Sequence, residues 1–184
     1  METNLMIAGF GGQGVMVMGK LLSRAACDST DKNVTFFPSY GAEQRGGTAN
    51  CYVVISDDPI GSPVSNSVDH LVVMNAPSLN KFLYKLKQGG TLFINSTIVK
   101  DKIPRDDIKV VSVPVTEMAI GMGNQKVLNI IMLGAYVGYT DIISHDVVLD
   151  TIFSQFQKKP EMLPLNKEAF MKGLEIGKEA MVKL

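Results

Sequence analysis

The chain has 184 residues, with 18 basic and 18 acidic side chains and a formal net charge of zero at pH 7. This length is typical of one domain, and the balanced charge argues against a protein that gathers nucleic acid or an anionic membrane on a basic surface. The two cysteines, Cys27 and Cys51, are too few for a disulfide framework or for an iron–sulfur cluster held by four thiolates.

The apolar stretches of the chain are short. Leu5–Ala8 is too short for a secretory signal, and Val127–Tyr139 falls short of the roughly 20 residues that span a bilayer. We therefore expect a soluble, cytoplasmic protein that makes no contact with a membrane.

The first predicted unit is a strand, a tight turn and a helix. Leu5–Ala8 has the apolar character of a buried strand, Gly9–Gly14 follows it directly, and Val15–Cys27 has helical periodicity. Val34–Phe37 is β-branched and aromatic and predicts a second strand. We expect these elements to form a βαβ unit with a right-handed crossover and two parallel strands.

Strands and helices continue to alternate along the chain. The apolar runs predict strands at 50–56, 71–74, 91–94 and 110–113, and a helix that begins at Pro77 and is ended by Gly89 and Gly90. A helix at 124–138 is apolar on most faces, which predicts burial either inside the domain or against a partner. Two further helices are predicted at 146–157, with Ser144 as N-cap, and at 167–182, with Asn166 as N-cap.

This alternation predicts an α/β fold with three layers, in which a mostly parallel sheet carries helices on both faces and begins in a Rossmann-like manner. No repeat or linker divides the sequence. We expect one domain over residues 1–184.

The glycine turn, Gly9–Gly14, is the first candidate site. Gly9, Gly11 and Gly14 have the GxGxxG spacing, in which glycine lets backbone approach a phosphate at the start of a helix. The predicted phosphate contacts are Gly11, Gly12, Gln13 and Gly14. A second interpretation is that the glycines serve only close packing and a turn that faces a neighbouring subunit.

A dinucleotide site would also need an acidic residue at the end of the second strand, to bind the ribose hydroxyls. The second strand ends in Phe36-Phe37-Pro38 and has no such residue. An autonomous nucleotide-binding module or a small NAD(P)-dependent dehydrogenase is therefore the alternative hypothesis and not the leading one.

The segment after the second strand is the other candidate site. It is polar and glycine-rich, yet it carries an aromatic ring, a carboxylate and a guanidinium group that can meet a partner or an anion. Its alternative interpretation is a local ion pair between Glu43 and Arg45 in a solvated loop. The residues predicted to lie at an interface or active-site edge are Ser39, Tyr40, Glu43, Arg45, Gly46 and Gly47.

Other chemistry is sparse. His70 and His145 are far apart in sequence and lack neighbouring ligands at metal-binding spacing. The candidate nucleophiles Ser23, Ser39 and Cys51 lie in no recognisable nucleophile motif. The sequence therefore predicts no metal site and no catalytic residue on this chain alone.

Together, the glycine turn and residues 38–50 resemble the gamma subunit, or gamma domain, of 2-oxoacid:ferredoxin oxidoreductases. Further similarity lies at Asp57–Pro63, Asn75–Leu79 and Gly123–Asn129, so that the resemblance covers essentially the whole chain. The separate, short form of the chain resembles the 2-oxoglutarate type of enzyme more than the pyruvate type.

The resemblance implies a reaction in which a 2-oxoacid, coenzyme A and oxidised ferredoxin give an acyl-CoA, carbon dioxide and reduced ferredoxin. It implies that alpha and beta subunits carry thiamine diphosphate with Mg, and that the clusters sit in beta or in a ferredoxin-like delta subunit. This chain would be a non-autonomous subunit with both candidate sites facing alpha and beta, near coenzyme A. A purely structural subunit, and a homodimer when the chain is isolated, are the remaining alternatives.

Overall fold

The computed structural model describes residues 1–39 and 48–183, which contain six β-strands and six α-helices. The strands are β1 Glu2–Phe10, β2 Asn33–Ser39, β3 Thr48–Ser56, β4 Val68–Val73, β5 Leu86–Asn95 and β6 Lys109–Val113. The helices are α1 Val15–Ser29, α2 Ala76–Phe82, α3 Val115–Gly121, α4 Leu128–Thr140, α5 His145–Phe156 and α6 Leu163–Lys183.

The strands form one sheet in the order β2-β3-β1-β4-β5-β6. The pairs β1-β4, β4-β5 and β5-β6 are parallel, whereas β3 runs antiparallel to both β1 and β2. Five strands thus share one direction, and the predicted mostly parallel α/β sheet is confirmed.

The predicted βαβ unit is wrong in one respect. β1 and β2 do run in the same direction, but they are not neighbours, because β3 lies between them and pairs with β1 along its whole length, from Glu2↔Ser56 to Phe10↔Thr48. Strand pairing is decided by contacts between distant segments, which local periodicity does not report.

The two faces of the sheet carry unequal layers. One face packs against α1 and α3–α6 through a large core that includes Leu22, Tyr136 and Phe170. The other face packs against α2 through a smaller core that includes Leu79 and Phe82. Helices α1 and α2 therefore lie on opposite faces of the sheet.

Helix α4 is buried inside the molecule. Residues 129–138 are all buried, which decides between the two predicted environments of this apolar helix in favour of the interior. α4 packs on α6 through two glycine pairs, Gly134 with Gly138 and Gly173 with Gly177. A Cβ atom on any of the four would overlap a backbone carbonyl oxygen of the facing helix. Glycine lets the two backbones approach closely at this contact.

Two predicted element boundaries are wrong. The helix that begins near Pro77 ends at Phe82, and a 3₁₀ turn at Leu83–Lys85 leads into β5, so Gly89 and Gly90 lie within a strand and do not end the helix. Gly90 has no room for a Cβ atom beside the Asp69 carbonyl oxygen, and this close approach accounts for glycine there.

The last helix begins at Leu163, so Asn166 is buried inside it and is not its N-cap. Ser144 does precede α5, but its side chain makes no capping hydrogen bond. The short helix α3 was not predicted. Within the described residues, no helix is long and apolar enough to cross a membrane.

Candidate functional site

The carboxyl ends of the two central strands, β1 and β4, form a crevice at the end of the sheet where the parallel strands finish. These strands are parallel neighbours, but the chain turns to one face after β1 and to the opposite face after β4. In open α/β sheets, ligands bind in such a crevice, where the connections diverge. The glycine turn borders one side of this β1/β4 crevice, and the turn at Met74–Asn75 borders the other.

The glycine turn is tight and open to solvent. The Gln13 amide donates to the Phe10 carbonyl oxygen at 3.2 Å, and Gly12 and Gly14 have φ of 92° and 71°, which other L-residues rarely adopt. Gly11 and Gly12 are exposed, and a Cβ atom on either would have no neighbour within 4 Å in the part of the chain that the structure describes. Backbone at this turn is therefore accessible to a ligand.

Helix α1 begins at this turn without a side-chain cap. Gly14 occupies the N-cap position, and no acidic residue lies in the first turn of the helix. The first backbone bond that spans the helix start runs from the Met18 amide to the Gly14 carbonyl at 2.9 Å. The amide groups before Met18 are donors at the positive end of the helix dipole, which is the physical basis of an anion site.

The Gln13 side chain makes its hydrogen bonds within the crevice. Its Oε1 accepts from the Phe10 amide at 2.7 Å and from Asn75 Nδ2 at 2.9 Å, and its Nε2 donates to the Met74 carbonyl oxygen at 3.1 Å. Gly9 has no Cβ atom to occupy this space, since one would lie 2.8 Å from Gln13 Oε1. Gln13 therefore holds the turn, and its side chain is occupied by bonds within the protein.

Three buried asparagines surround the crevice, and sequence reasoning missed them as site residues. Asn75 caps α2 by accepting from the Ser78 amide at 2.9 Å, Asn95 donates to the Met74 carbonyl at 3.3 Å, and Asn129 donates to the Gly14 carbonyl at 3.2 Å. The order Asn-Ala-Pro at 75–77 is a helix-start signal that could have indicated the cap.

The second candidate site lies mostly outside the described residues. Tyr40, Glu43, Arg45, Gly46 and Gly47 fall in residues 40–47, which the structure does not describe. Ser39 ends β2 at the same edge of the sheet as the glycine turn, but β3 separates it from β1. At a strand spacing of about 4.8 Å, this places the Ser39 backbone roughly 10 Å from β1.

This sheet order also weakens the dinucleotide alternative. In that motif the acidic residue follows the strand next to β1, whereas here the neighbouring strand β3 begins at this edge with Thr48-Ala49-Asn50. The described residues at this position thus offer no carboxylate for a ribose.

The histidines and cysteines lie apart from the crevice. His70 is near the amino end of β4, and its Nδ1 shares a hydrogen bond of 3.0 Å with the Tyr136 hydroxyl. Burial lowers the pKa of His70, and Asp69 partly offsets this. Burial raises the pKa of the Cys51 thiol to about 12, which disfavours the thiolate form that acts as a nucleophile. Among the described residues, no group of three or more His, Cys, Asp or Glu side chains could hold a metal ion.

The chain resembles proteins of known classes. Residues 4–176 match the family model described as pyruvate ferredoxin/flavodoxin oxidoreductase. The 2-oxoglutarate synthase subunit KorC of Methanocaldococcus jannaschii is 35% identical over 181 residues, which cover 97% of this chain and 96% of KorC. The ketoisovalerate oxidoreductase subunit VorA of Methanothermobacter marburgensis is 37% identical over 96% of this chain, which spans only 36% of the length of VorA.

The fold has a counterpart among solved structures. The crystal structure of the gamma subunit of a keto/oxoacid ferredoxin oxidoreductase from Geobacter sulfurreducens PCA superposes with a TM-score of 0.87 at 28% identity. The match covers 98% of both chains.

Proposed function

Because the chain belongs to the pyruvate ferredoxin/flavodoxin oxidoreductase family, we propose that it is the gamma-type subunit of a thiamine-diphosphate-dependent 2-oxoacid:ferredoxin oxidoreductase. The complex converts a 2-oxoacid, coenzyme A and oxidised ferredoxin into an acyl-CoA, carbon dioxide and reduced ferredoxin. The observation that carries this proposal is the end-to-end match with a solved gamma subunit, at 98% of both chains.

The composition of the chain supports a non-autonomous subunit. Two cysteines, one of them buried with a raised pKa, do not provide the thiolates of an iron–sulfur cluster. As the resemblance implies, the proposal assigns thiamine diphosphate, Mg and the clusters to the alpha, beta or ferredoxin-like delta subunits, with ferredoxin as the electron acceptor. The whole of residues 1–184 acts as one gamma-type domain in this proposal.

The glycine turn fits a phosphate group of coenzyme A. The accessible backbone of Gly11 and Gly12, and the uncapped amides that follow Gly14, are donors of the kind that hold phosphates. Coenzyme A supplies the thiol that takes up the acyl group, and this chain's residues orient it from the edge of the sheet. The proposal assigns the carbon chemistry to the thiamine diphosphate of the complex and names no catalytic residue on this chain alone.

We further propose 2-oxoglutarate as the substrate of the complex. KorC, a subunit of 2-oxoglutarate synthase, matches this chain over nearly its full length, whereas VorA is much longer. Since this subunit lies outside the thiamine site, substrate preference must be measured on the assembled complex.

The test is reconstitution. The chain is co-expressed with the alpha and beta subunits from its own source, and acyl-CoA formation is measured with 2-oxoglutarate, 3-methyl-2-oxobutanoate and pyruvate. We expect no turnover by the chain alone, turnover by the complex, and a preference for 2-oxoglutarate. A fully active alpha–beta pair without this chain would contradict the proposal, and a preference for another oxoacid would overturn only the choice of substrate.

A further inference from the structure

Side chains join the two sides of the β1/β4 crevice at the point where the main-chain hydrogen bonds between β1 and β4 end. That last bond runs from the Met74 amide to the Ala8 carbonyl oxygen at 2.9 Å. Past this point the chain segments diverge to opposite faces, and the described side-chain hydrogen bonds across the crevice are those of Gln13 with Met74 and Asn75. We call the pair of side chains the Gln13–Asn75 bridge.

The glycine turn depends on this bridge for its shape. Gly11 and Gly12 gain little support from packing, since a Cβ atom on either would meet no heavy atom of the described residues within 4 Å. The turn is held by the main-chain bond from Gln13 to Phe10 and by the bond from the Phe10 amide to Gln13 Oε1 at 2.7 Å. The orientation of the Gln13 side-chain amide therefore decides whether Phe10 keeps its partner.

Asn75 fixes that orientation. Its Nδ2 donates to Gln13 Oε1 at 2.9 Å, so the oxygen of the Gln13 amide must face both Asn75 and the Phe10 amide. Asn75 itself is 1% exposed and cannot turn, because its Oδ1 is bound to the Ser78 amide at the start of α2.

The bridge is anchored in a buried network. Gln13 and Asn95 both donate to the Met74 carbonyl oxygen, and Asn95 also donates to Thr116 Oγ1 at 2.9 Å. Asn95 is fully buried and its Oδ1 has no partner among the described residues, so its orientation is set by its two donated bonds. The network links the carboxyl ends of β1, β4 and β5 with α3.

We infer that Asn75 is a positioning residue, which touches no ligand but holds the glycine turn in its binding geometry through Gln13. The consequence for coenzyme A rests on the proposed function, whereas the consequence for the turn itself does not. The substitution that isolates this role is Asn75→Asp. Aspartate still caps α2 by accepting from the Ser78 amide, but it cannot donate to Gln13 Oε1 and places two acceptors against each other.

The first measurement is hydrogen exchange at single amides by NMR. In Asn75→Asp, we expect the Phe10 amide to exchange about five-fold faster, the effect of losing one hydrogen bond of about 1 kcal/mol, with the centre of β1 unchanged. The matched control is Asn80→Asp, the same change at an exposed position of α2, which should leave Phe10 exchange unaltered. If the aspartate variant folds poorly, Asn75→Ser replaces it, because serine keeps a capping oxygen and lacks the amide donor. Exchange of the Phe10 amide is then compared between Asn75→Ser and the control.

Unchanged exchange at Phe10, or an equal rise throughout β1 and β4, would overturn the inference, because the role would then be absent or merely structural. The second measurement is steady-state kinetics of the assembled complex, where Asn75→Asp should raise KM for coenzyme A about five-fold and leave kcat unchanged. Faster Phe10 exchange with an unchanged KM would support the bridge and count against the coenzyme A site instead.

Discussion

At the scale of single residues, Gly11 provides a direct test of the proposed anion site. A Cβ atom on Gly11 meets no heavy atom within 4 Å among residues 1–39 and 48–183, so a longer side chain fits without displacing them. Gly11→Glu should raise KM for coenzyme A in the assembled complex about five-fold, because a carboxylate would repel a phosphate by about 1 kcal/mol at this solvent-exposed turn. Gly11→Gln, of nearly the same size but neutral, is the control and should change KM far less.

Equal effects of the glutamate and glutamine variants would indicate steric blocking, and no effect of either would place coenzyme A elsewhere. Raising the ionic strength should also reduce the difference between the two variants, since screening weakens repulsion between exposed charges.

His70 is expected to make folding stability depend on pH. Burial lowers its pKa in the folded protein, so the folded state binds the proton less readily than the unfolded chain does. The free energy of unfolding should therefore be highest above the unfolded pKa of about 6.5 and should fall as the pH drops below it, by at most about 1.4 kcal/mol per pH unit. This window lies above that of Asp57, Asp69 and Asp107, whose pKa values are lowered and whose contributions are lost in more acidic solution.

The measurement is thermal unfolding at pH 7.5 and 5.5. His70→Gln should reduce the difference between the two midpoints. If the pH dependence of the midpoint persists in His70→Gln, other titratable groups must cause it.

At the scale of elements, we expect substitutions at the contact between α4 and α6 to have the largest effect on the free energy of unfolding. Gly134→Ala or Gly173→Ala would drive a methyl group into the facing backbone, at Phe170 or Ile131, where no flexible side chain can move away. We expect a loss of about 2 kcal/mol or more in the free energy of unfolding, even though alanine favours helix over glycine by about 1 kcal/mol. Denaturant titration measures this loss.

Gly121→Ala is the matched control. Gly121 is the last residue of α3, and a Cβ atom there meets nothing within 4 Å, so this variant should change stability by less than about 1 kcal/mol. If the α4 or α6 variants were as stable as this control, the two helices would have room to separate.

At the scale of the whole molecule, the segment at 40–47 provides the test of how the subunit meets its partners. The residues that flank it, Ser39 at the end of β2 and Thr48 at the start of β3, lie at the same edge of the sheet as the glycine turn. Arg45→Ala in the reconstituted complex should lower turnover at least ten-fold while the subunits still co-purify. Arg45→Lys tests whether charge alone suffices or the guanidinium geometry is needed.

Turnover unchanged in Arg45→Ala would contradict a role at the active-site edge. Loss of co-purification would assign Arg45 to assembly and not to the reaction. The interface predictions for Tyr40, Glu43, Gly46 and Gly47 remain predictions of the same kind.

Much of the fold was predictable because its signals are local. The alternation of apolar runs with helical periodicity predicted five of the strands close to their observed positions, and the start of α1 at Val15 agrees with the prediction. The insertion of β3 between β1 and β2 was not predictable, because the pairing of β1 with β3 joins residues that are 38 to 54 positions apart, from Phe10↔Thr48 to Glu2↔Ser56.

The sequence by itself determined the α/β class, the glycine turn and the family, since each rests on residue types at short, fixed spacing. Tertiary structure alone decided what surrounds that turn: the β1/β4 crevice, the burial of Asn75 and Asn95, and the bond from Asn75 to Gln13. These contacts join residues from separate strands, and which asparagine meets which glutamine depends on sheet order and on the face to which each helix turns. A spacing in the chain can indicate a phosphate-binding turn, but only the packed sheet decides what holds it in place.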